Sequence, residues 1–334
     1  MPGVRRRGEE IRDFILRNIT ENKEIAALTA GRFGISLPAV YKHINRLASE
    51  NLITKQSGRF VLQSVRRKYV YRNDGSLSED SIWKKDIKKH FAGLPENVRR
   101  IWTYGFLGIC NNAIEHSQGE KIRVTVDENR VSAAITISDD GIGIFRNIKT
   151  KFKLPEEKDA LLELAKGKRT TDHTRHSGQG IFFVSKIFDV FMIVSGEIIF
   201  GSNPEKNNTA KMNRQEFSTL VYMRLSNNSN RQLKSVFDEF STEIPGDFDK
   251  TVVPVRLANS DDLMSRSQAR RVISGLELFK EVILDFRDIE YIGQAFADEV
   301  FRVFPNMNPN TAIKAQNANK EVQNMINRAK NTKL

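Results

Sequence analysis

The chain has 334 residues, 39% hydrophobic and 28% charged, a globular composition long enough for two or three domains. Its one cysteine, Cys110, excludes an internal disulfide and suits a reducing compartment. The formal net charge is +12, with fifteen Lys/Arg against seven Asp/Glu in residues 1–75, so a polyanionic partner is expected for the N-terminal end. The opening MPGVRRRGEEIRDF lacks the apolar core of a signal peptide, and Lys186, Asp189 and Glu197 break the most apolar region, 180–201. No membrane span and a cytoplasmic location are therefore expected.

Residues 8–62 read as three short helices and a hairpin. The first buries Ile11, Phe14, Ile15 and Ile19 at helical spacing, and the second, near 23–33, buries Ile25 and Leu28. Gly34 makes a turn, Ser36 caps the third helix, and Pro38 sits in its first turn, where its missing N–H is tolerated. That helix buries Leu37, Val40, Ile44 and Leu47 and turns Ala39, Lys42, His43 and Arg46 outward. LITKQSGRFVL then gives two strands around Ser57-Gly58. This order resembles the winged helix-turn-helix domains. The resemblance implies a third helix in the major groove of double-stranded DNA, with Tyr41, Lys42 and Arg46 at bases or phosphates. Lys55 and Arg59 would meet the backbone from the wing, and Arg5, Arg6 and Arg7 would form an arm. Modules of this shape also dock proteins, but the polar positions of the third helix are basic rather than acidic, which favours DNA.

The stretch SVRRKYVYRNDGSLSED, 64–80, reads as a linker in which RKYVY is a candidate strand. A helix follows with the sequence YGFLGICNNAIEHS, 104–117. It carries Asn112 and His116 one turn apart opposite Phe106, Ile109 and Ala113, and a helix-weakening Gly108 on the polar side. KIRVTVDENRVSAAITISDDGIGIF gives two alternating strands with a turn at Glu128-Asn129, the second ending in Asp139-Asp140-Gly141-Ile142-Gly143. After a polar segment to Ser177, GQGIFFVSKIFDVF opens another helix with Gly178 and Gly180 at its start.

In this order the three boxes resemble the GHKL superfamily of gyrase-type ATPases, histidine kinases and anti-sigma-factor kinases, over about residues 76–225. The resemblance implies ATP and magnesium as cofactors, with Asn112 holding the metal and, through it, the phosphates. His116 would approach phosphate, and Asp139 would accept a hydrogen bond from the adenine amino group. Gly141 and Gly143 would let the backbone come close to the base. Gly178 and Gly180, at a helix N-terminus, would meet phosphate. Residues 145–177 would be a lid, supplying Lys168, Arg169, Thr170, Thr171 and Arg175 as phosphate ligands. The family's general-base glutamate falls at Gly108, and Glu115, two turns on, lies about 10 Å further along the axis. Slow hydrolysis, or none, is expected.

From Thr251 strands and helices alternate: TVVPVRL, then SRSQARRVISGLELF burying Ala269, Val272 and Leu276, then EVILDFRDI, GQAFADEVFRVF, TAIKAQNA and KEVQNMINRA. The pattern resembles STAS-like domains, the fold of anti-anti-sigma factors. The phosphoacceptor serine of that family falls at Gln294 or Ala295, so docking or dimerisation is expected in place of phosphorylation.

The expected fold class is multidomain α+β, in three modules: 1–64 for DNA, 81–228 for nucleotide after a 65–80 linker, and a STAS-like 229–334. The leading function is an ATP-binding DNA-binding regulator in which Mg-ATP acts as a conformational ligand. A regulatory protein at the STAS-like domain and a second copy of the chain are further partners to consider. The alternatives are a GHKL ATPase, an anti-sigma-like serine kinase, or a component of a phage-defence or DNA-remodelling system.

Overall fold

The computed structural model describes residues 2–19, 24–168, 179–201, 217–258 and 263–331. Helices α1 (Pro2–Asn18), α2 (Ile25–Phe33) and α3 (Leu37–Ser49) enclose a small core of Ile11, Ile15, Leu16, Ile19, Ile25, Val40, Ile44 and Leu47. Ser36 caps α3 by accepting the Ala39 N–H, with Pro38 in the first turn. Strands β1 (Ile53–Gln56) and β2 (Arg59–Leu62) form an antiparallel hairpin. Both turn residues have positive φ, 49° at Ser57 and 79° at Gly58, as a tight hairpin matching strand twist requires.

Three local expectations are corrected here. Leu28 is 42% exposed and Leu37 48% exposed, so neither is core. Thr29, whose hydroxyl donates to the Ile25 carbonyl at 2.7 Å, fills the buried position of α2 instead. Arg6 and Arg7 are no free arm: α1 starts at Pro2, Arg6 faces Glu10 one turn on, and Arg7 donates to the Phe33 carbonyl. The Arg5 side chain lies outside the described residues.

The 65–80 segment, expected as a linker, is largely structure. Residues Val65–Arg72 are β3, the edge strand of a six-stranded antiparallel sheet. The strands β4 (Lys121–Glu128), β5 (Ser132–Asp139), β6 (Val190–Ser195), β7 (Ile198–Gly201) and β8 (Thr219–Ser226) complete it in the order β3-β4-β5-β8-β6-β7. Alternation decides the faces. Ile122, Val124, Val126, Ile135, Ile137, Val221, Met223 and Leu225 point to one side, where α5 (Glu96–His116) lays Phe106, Ile109 and Ala113 against them. A short α4 (Glu79–Ile82) and tight helical turns through Phe91 lie beside α5. There Tyr69 and Tyr71 of β3 bond to His90 and Asp86.

The segment 145–177, expected as a lid, includes two ordered helices, α6 (Ile144–Phe152) and α7 (Ala160–Lys166). Next comes α8 (Gln179–Ile187).

The C-terminal part is built from β9 (Lys250–Pro254), β10 (Glu281–Asp285) and β11 (Ala312–Gln316), parallel in the order β11-β10-β9. The connections carry α10 (Arg266–Ile273), then α11 (Gln294–Asp298) running through a π-turn into α12 (Phe304–Met307), and α13 (Lys320–Asn331) closes it. Ser265 and Gln268 form a reciprocal capping box at the start of α10. This unit does not have a core of its own alone. Leu162 of α7 and Phe182 and Phe183 of α8 join Phe240, Phe248, Val253 and Leu276 in one cluster. Phe182 lies 4.7 Å from Phe248, and Phe183 4.9 Å from it. Residues 229–249, expected within the C-terminal module, also touch the central one: in α9 (Leu233–Glu239) the Phe237 ring meets Tyr104 and Phe183 edge-on.

No helix among the described residues is long and apolar enough to cross a membrane.

Candidate functional site

A cavity of about 540 Å³ opens between α5, α6, α7 and α8, over the facing ends of β5 and β8. Its size falls within the range of small-ligand sites. Helix α5 supplies one wall. Asn112 and His116, four residues apart, both line it with Ile109, while Phe106 anchors the helix in the core. The Asn112 side chain makes no hydrogen bond to another described residue.

Asp139 ends β5 at the floor of the cavity and is 4% exposed. Its Oδ1 accepts the Gly141 N–H at 3.0 Å. Thr219, its cross-strand partner on β8, stands beside the carboxylate and its hydroxyl favours the anion. The Thr219 oxygen in turn accepts the Ile144 N–H at 3.1 Å, so one threonine ties β8, the Asp139 carboxylate and the start of α6 together. Burial pushes the Asp139 pKa up to about 6, against the two hydrogen bonds that stabilise the anion. A carboxylate held out of water at a cavity floor has unused acceptor capacity for a donor entering the cavity.

The two glycines of the following turn have different reasons to be there. A Cβ on Gly141 would lie 1.9 Å from the Ser117 carbonyl, which also accepts the Ile142 N–H. Gly141 thus lets the turn press against the end of α5. Gly143 has φ of 86° and starts α6 from a conformation side chains disfavour. Asn147 of α6 then donates to the His116 carbonyl at 3.0 Å, fixing the helix that roofs this side.

Gln179 and Gly180, the first described residues of α8, line the far wall. Gly178, Thr170, Thr171, Arg169 and Arg175 lie outside the described residues. Lys168 is a correction: it is absent from the cavity lining, donates to the Leu278 carbonyl at 2.7 Å and sits 4.7 Å from the Phe279 ring centre. The apolar aromatic edge and a carbonyl draw it to the C-terminal unit.

Gly108 lines the cavity, and a Cβ there would meet nothing within 4 Å. Tyr104, one turn earlier, lines it too, with its phenol pushed up to about 12 by burial. Glu115 is exposed and outside the lining. Among the described residues the carboxylate that borders the cavity besides Asp139 is Glu163 of α7, whose Oε1 accepts from the buried Lys166 ammonium at 2.9 Å.

Sequence reasoning brought Asn112, His116, Asp139, Gly141, Gly143 and Gly180 to one region, and Asn112, His116, Asp139 and Gly180 all line one cavity. It missed Tyr104, Asn147, Glu163, Thr219, Phe237 and Gly246, which line it as well. Thr219 could have been found by pairing the alternating strand STLVYMRL against ITISD.

At the N-terminal module, Tyr41 is 48% exposed and Lys42, Arg46, Lys55 and Arg59 are all exposed. Lys42 projects freely from α3, whereas the Arg46 Nε donates to Glu50 at 2.8 Å on the same helix. Burial, then the Arg12 and Arg46 charges, hold His43 below its ordinary pKa.

At the place of the acceptor serine, Gln294 and Ala295 open α11 and carry no hydroxyl. No match is found among curated proteins. Residues 268–323, which run from α10 into α13, match the family model described as a STAS-like domain of unknown function (DUF4325).

Proposed function

We propose that the chain is a cytoplasmic DNA-binding regulator of winged-helix and GHKL type. On this reading Mg-ATP is a ligand that sets the arrangement of its C-terminal STAS-like unit. The observation that carries the nucleotide reading is the buried Asp139 carboxylate, held by Gly141 and Thr219 at the floor of a cavity whose wall presents Asn112 and His116. A buried acceptor with spare lone pairs suits an exocyclic amino group, which offers N–H donors.

The donor set fits magnesium in a limited way. No cluster of three or more His, Cys, Asp or Glu among the described residues would hold a metal by itself. Asn112 offers one amide oxygen toward the cavity, and Mg²⁺ ordinarily takes its remaining ligands from phosphates and water. The ion would therefore arrive with the nucleotide and neutralise its phosphate charge. Around it, Asp139 would orient the base, the start of α8 would offer N–H groups to phosphate, and Gly108 would leave the wall without a base.

The DNA reading rests on the exposed basic residues of α3 and of the β1–β2 hairpin. The decisive experiment is calorimetric titration of the full chain with Mg-ATP, repeated with Asp139→Asn. Removing the acceptor leaves a buried mispaired group and should weaken binding roughly ten- to hundredfold. Equal affinity in the two proteins would refute the assignment.

A further inference from the structure

The outer face of the six-stranded sheet, opposite α5, carries a charge pattern that neither the cavity nor the N-terminal helices use. On β3 the outward residues are Arg66, Lys68, Val70 and Arg72; on β4 they are Lys121, Arg123, Thr125 and Asp127. Residue alternation sets the buried Ile122, Val124 and Val126 on the other side. Across β5 this face carries Thr136 with the buried Ala134 and Ser138, and on β8 it carries Tyr222, Arg224 and Leu220, the last packed with Met192 and Val194 of β6. Six cations thus share one face: Arg66, Lys68, Arg72, Lys121, Arg123 and Arg224. The one carboxylate among these strand positions is Asp127, and Arg66 covers it at 2.6 Å. The charges share one environment, since Arg224, Asp127 and Arg66 all act electrostatically on the Tyr222 phenol.

A basic edge strand has an ordinary explanation, because lysine and arginine deter edge-to-edge pairing. That explains Lys68 and Arg72 on β3. It does not explain Arg123 and Arg224, which sit on β4 and β8, both paired on two sides. The Arg123 Nη1 is shielded from solvent and has no hydrogen-bond partner among the described residues. A buried donor left unpaired is costly, and an incoming anion would satisfy it. Phosphate oxygens are the acceptors that guanidinium groups match in shape and charge.

Position selects the anion. Two residues, Gln63 and Ser64, separate β2 of the hairpin from β3, and Val131 of the β4–β5 turn packs on the core of the N-terminal module. The basic face therefore continues from the hairpin that carries Lys55 and Arg59. Along β3, alternate residues stand about 6.7 Å apart, close to two base-pair rises of duplex DNA. A second copy of the chain is disfavoured, because pairing this face with itself would oppose like charges.

We propose that this sheet face binds the phosphate backbone of duplex DNA as a second contact, extending the footprint of the N-terminal module. The proposal rests on the DNA reading given above for its choice of polyanion. The test is fluorescence anisotropy of the full chain with random-sequence duplexes of about 12 and about 30 base pairs, titrated with salt. The triple variant Lys68→Ala/Arg72→Ala/Arg224→Ala changes exposed side chains and should melt like the parent. It should lose about tenfold or more in affinity for the long duplex, with a salt slope shallower by about one unit per residue removed, and should bind the short duplex as before. Lys68→Ala alone should remove about one unit, which keeps the test open if the triple variant is unstable. Lys42→Ala separates the two readings: if it leaves both duplexes untouched while the triple variant weakens the long one, the sheet face stands and the α3 assignment falls. Parental affinity and slope of the folded triple or single variant on the long duplex would overturn the sheet-face proposal, whatever Lys42→Ala does.

Discussion

The Lys166 ammonium donates to the Ser274 carbonyl at 2.9 Å, and this bond joins α7, which borders the cavity, to the end of α10. The same nitrogen bonds to Glu163 and to the Arg271 carbonyl, each at 2.9 Å, and the residue is 1% exposed. Three N–H donors thus meet three acceptors, which is the condition for burying an ammonium. The Lys166 carbonyl accepts from Thr251 of β9, and Arg271 reaches Asp159 just before α7. Glu163, which lines the cavity, is therefore fixed by the same lysine that grips the C-terminal unit. A ligand touching one side of α7 has a short mechanical route to the other.

Lys166→Met should destabilise the chain by about 3–5 kcal/mol, because it removes the ammonium that faces the buried Glu163 carboxylate. Adding Glu163→Gln should recover part of that loss, since a neutral amide is less costly to bury. Chemical denaturation of the parent, the single and the double variant measures both steps. No recovery in the double variant would mean that packing of the lysine stem, not the charge pair, holds α7 in place.

The pH behaviour of Asp139 follows from its raised pKa of about 6. Between the ordinary carboxylate value near 4 and about 6, the folded state binds more protons than the unfolded chain, so stability contributed by this group falls as pH rises through that window. Above it, the buried anion costs at most about 3 kcal/mol. Asp139→Asn should therefore melt higher than the parent at pH 7.5 without ligand, and the difference should shrink toward pH 4. With Mg-ATP the difference should shrink, because the parent binds the nucleotide more tightly and so gains more stability from it than the variant does. Thermal unfolding at several pH values, with and without Mg-ATP, tests both halves.

How much of this was legible in the chain depends on how local each signal is. The helical spacing of Val40, Ile44 and Leu47, the Ser36 cap and the Ser57-Gly58 turn are set within a few residues, and all are present. Leu28 and Leu37 lie at the rim of the same periodic pattern, where the choice between core and solvent depends on neighbouring helices. Val65–Arg72 looked like a linker because an edge strand, exposed on one face and rich in charge, has little hydrophobic signal. The joint core of Phe182 and Phe183 with Phe248 was invisible for another reason. An apolar helix start announces burial but not the partner that buries it.

On α3, Lys42 and Arg46 are not equivalent. Arg46 is engaged by Glu50 on its own helix, so its charge toward an incoming phosphate is partly neutralised. Lys42→Ala should weaken DNA binding more than Arg46→Ala, and Glu50→Gln should strengthen it by releasing Arg46. Each effect should diminish at high salt, where counterion release contributes less. The three dissociation constants at two ionic strengths decide the matter; an unchanged affinity for Glu50→Gln would place Arg46 away from the DNA.

Gly108 gives the sharpest test of the role proposed for ATP. It lies inside the long helix α5, where glycine costs about 1 kcal/mol relative to alanine, and no neighbour would touch an added Cβ. Packing therefore does not require it, and Gly108→Ala should raise stability by about that amount. What the glycine does is leave the cavity wall next to Asn112 bare. Glu115 is exposed outside the cavity, and Glu163 is engaged by the Lys166 ammonium. General-base assistance contributes about 10²- to 10⁴-fold, so turnover by the parent should be very slow while binding persists. Gly108→Glu should place a carboxylate in open space one turn before Asn112 and raise hydrolysis measurably, with ATP affinity little changed. Single-turnover hydrolysis and calorimetry on parent, Gly108→Ala and Gly108→Glu separate chemistry from binding. Brisk turnover by the parent, abolished by Glu163→Gln, would show that α7 supplies the base and that ATP is consumed rather than merely held.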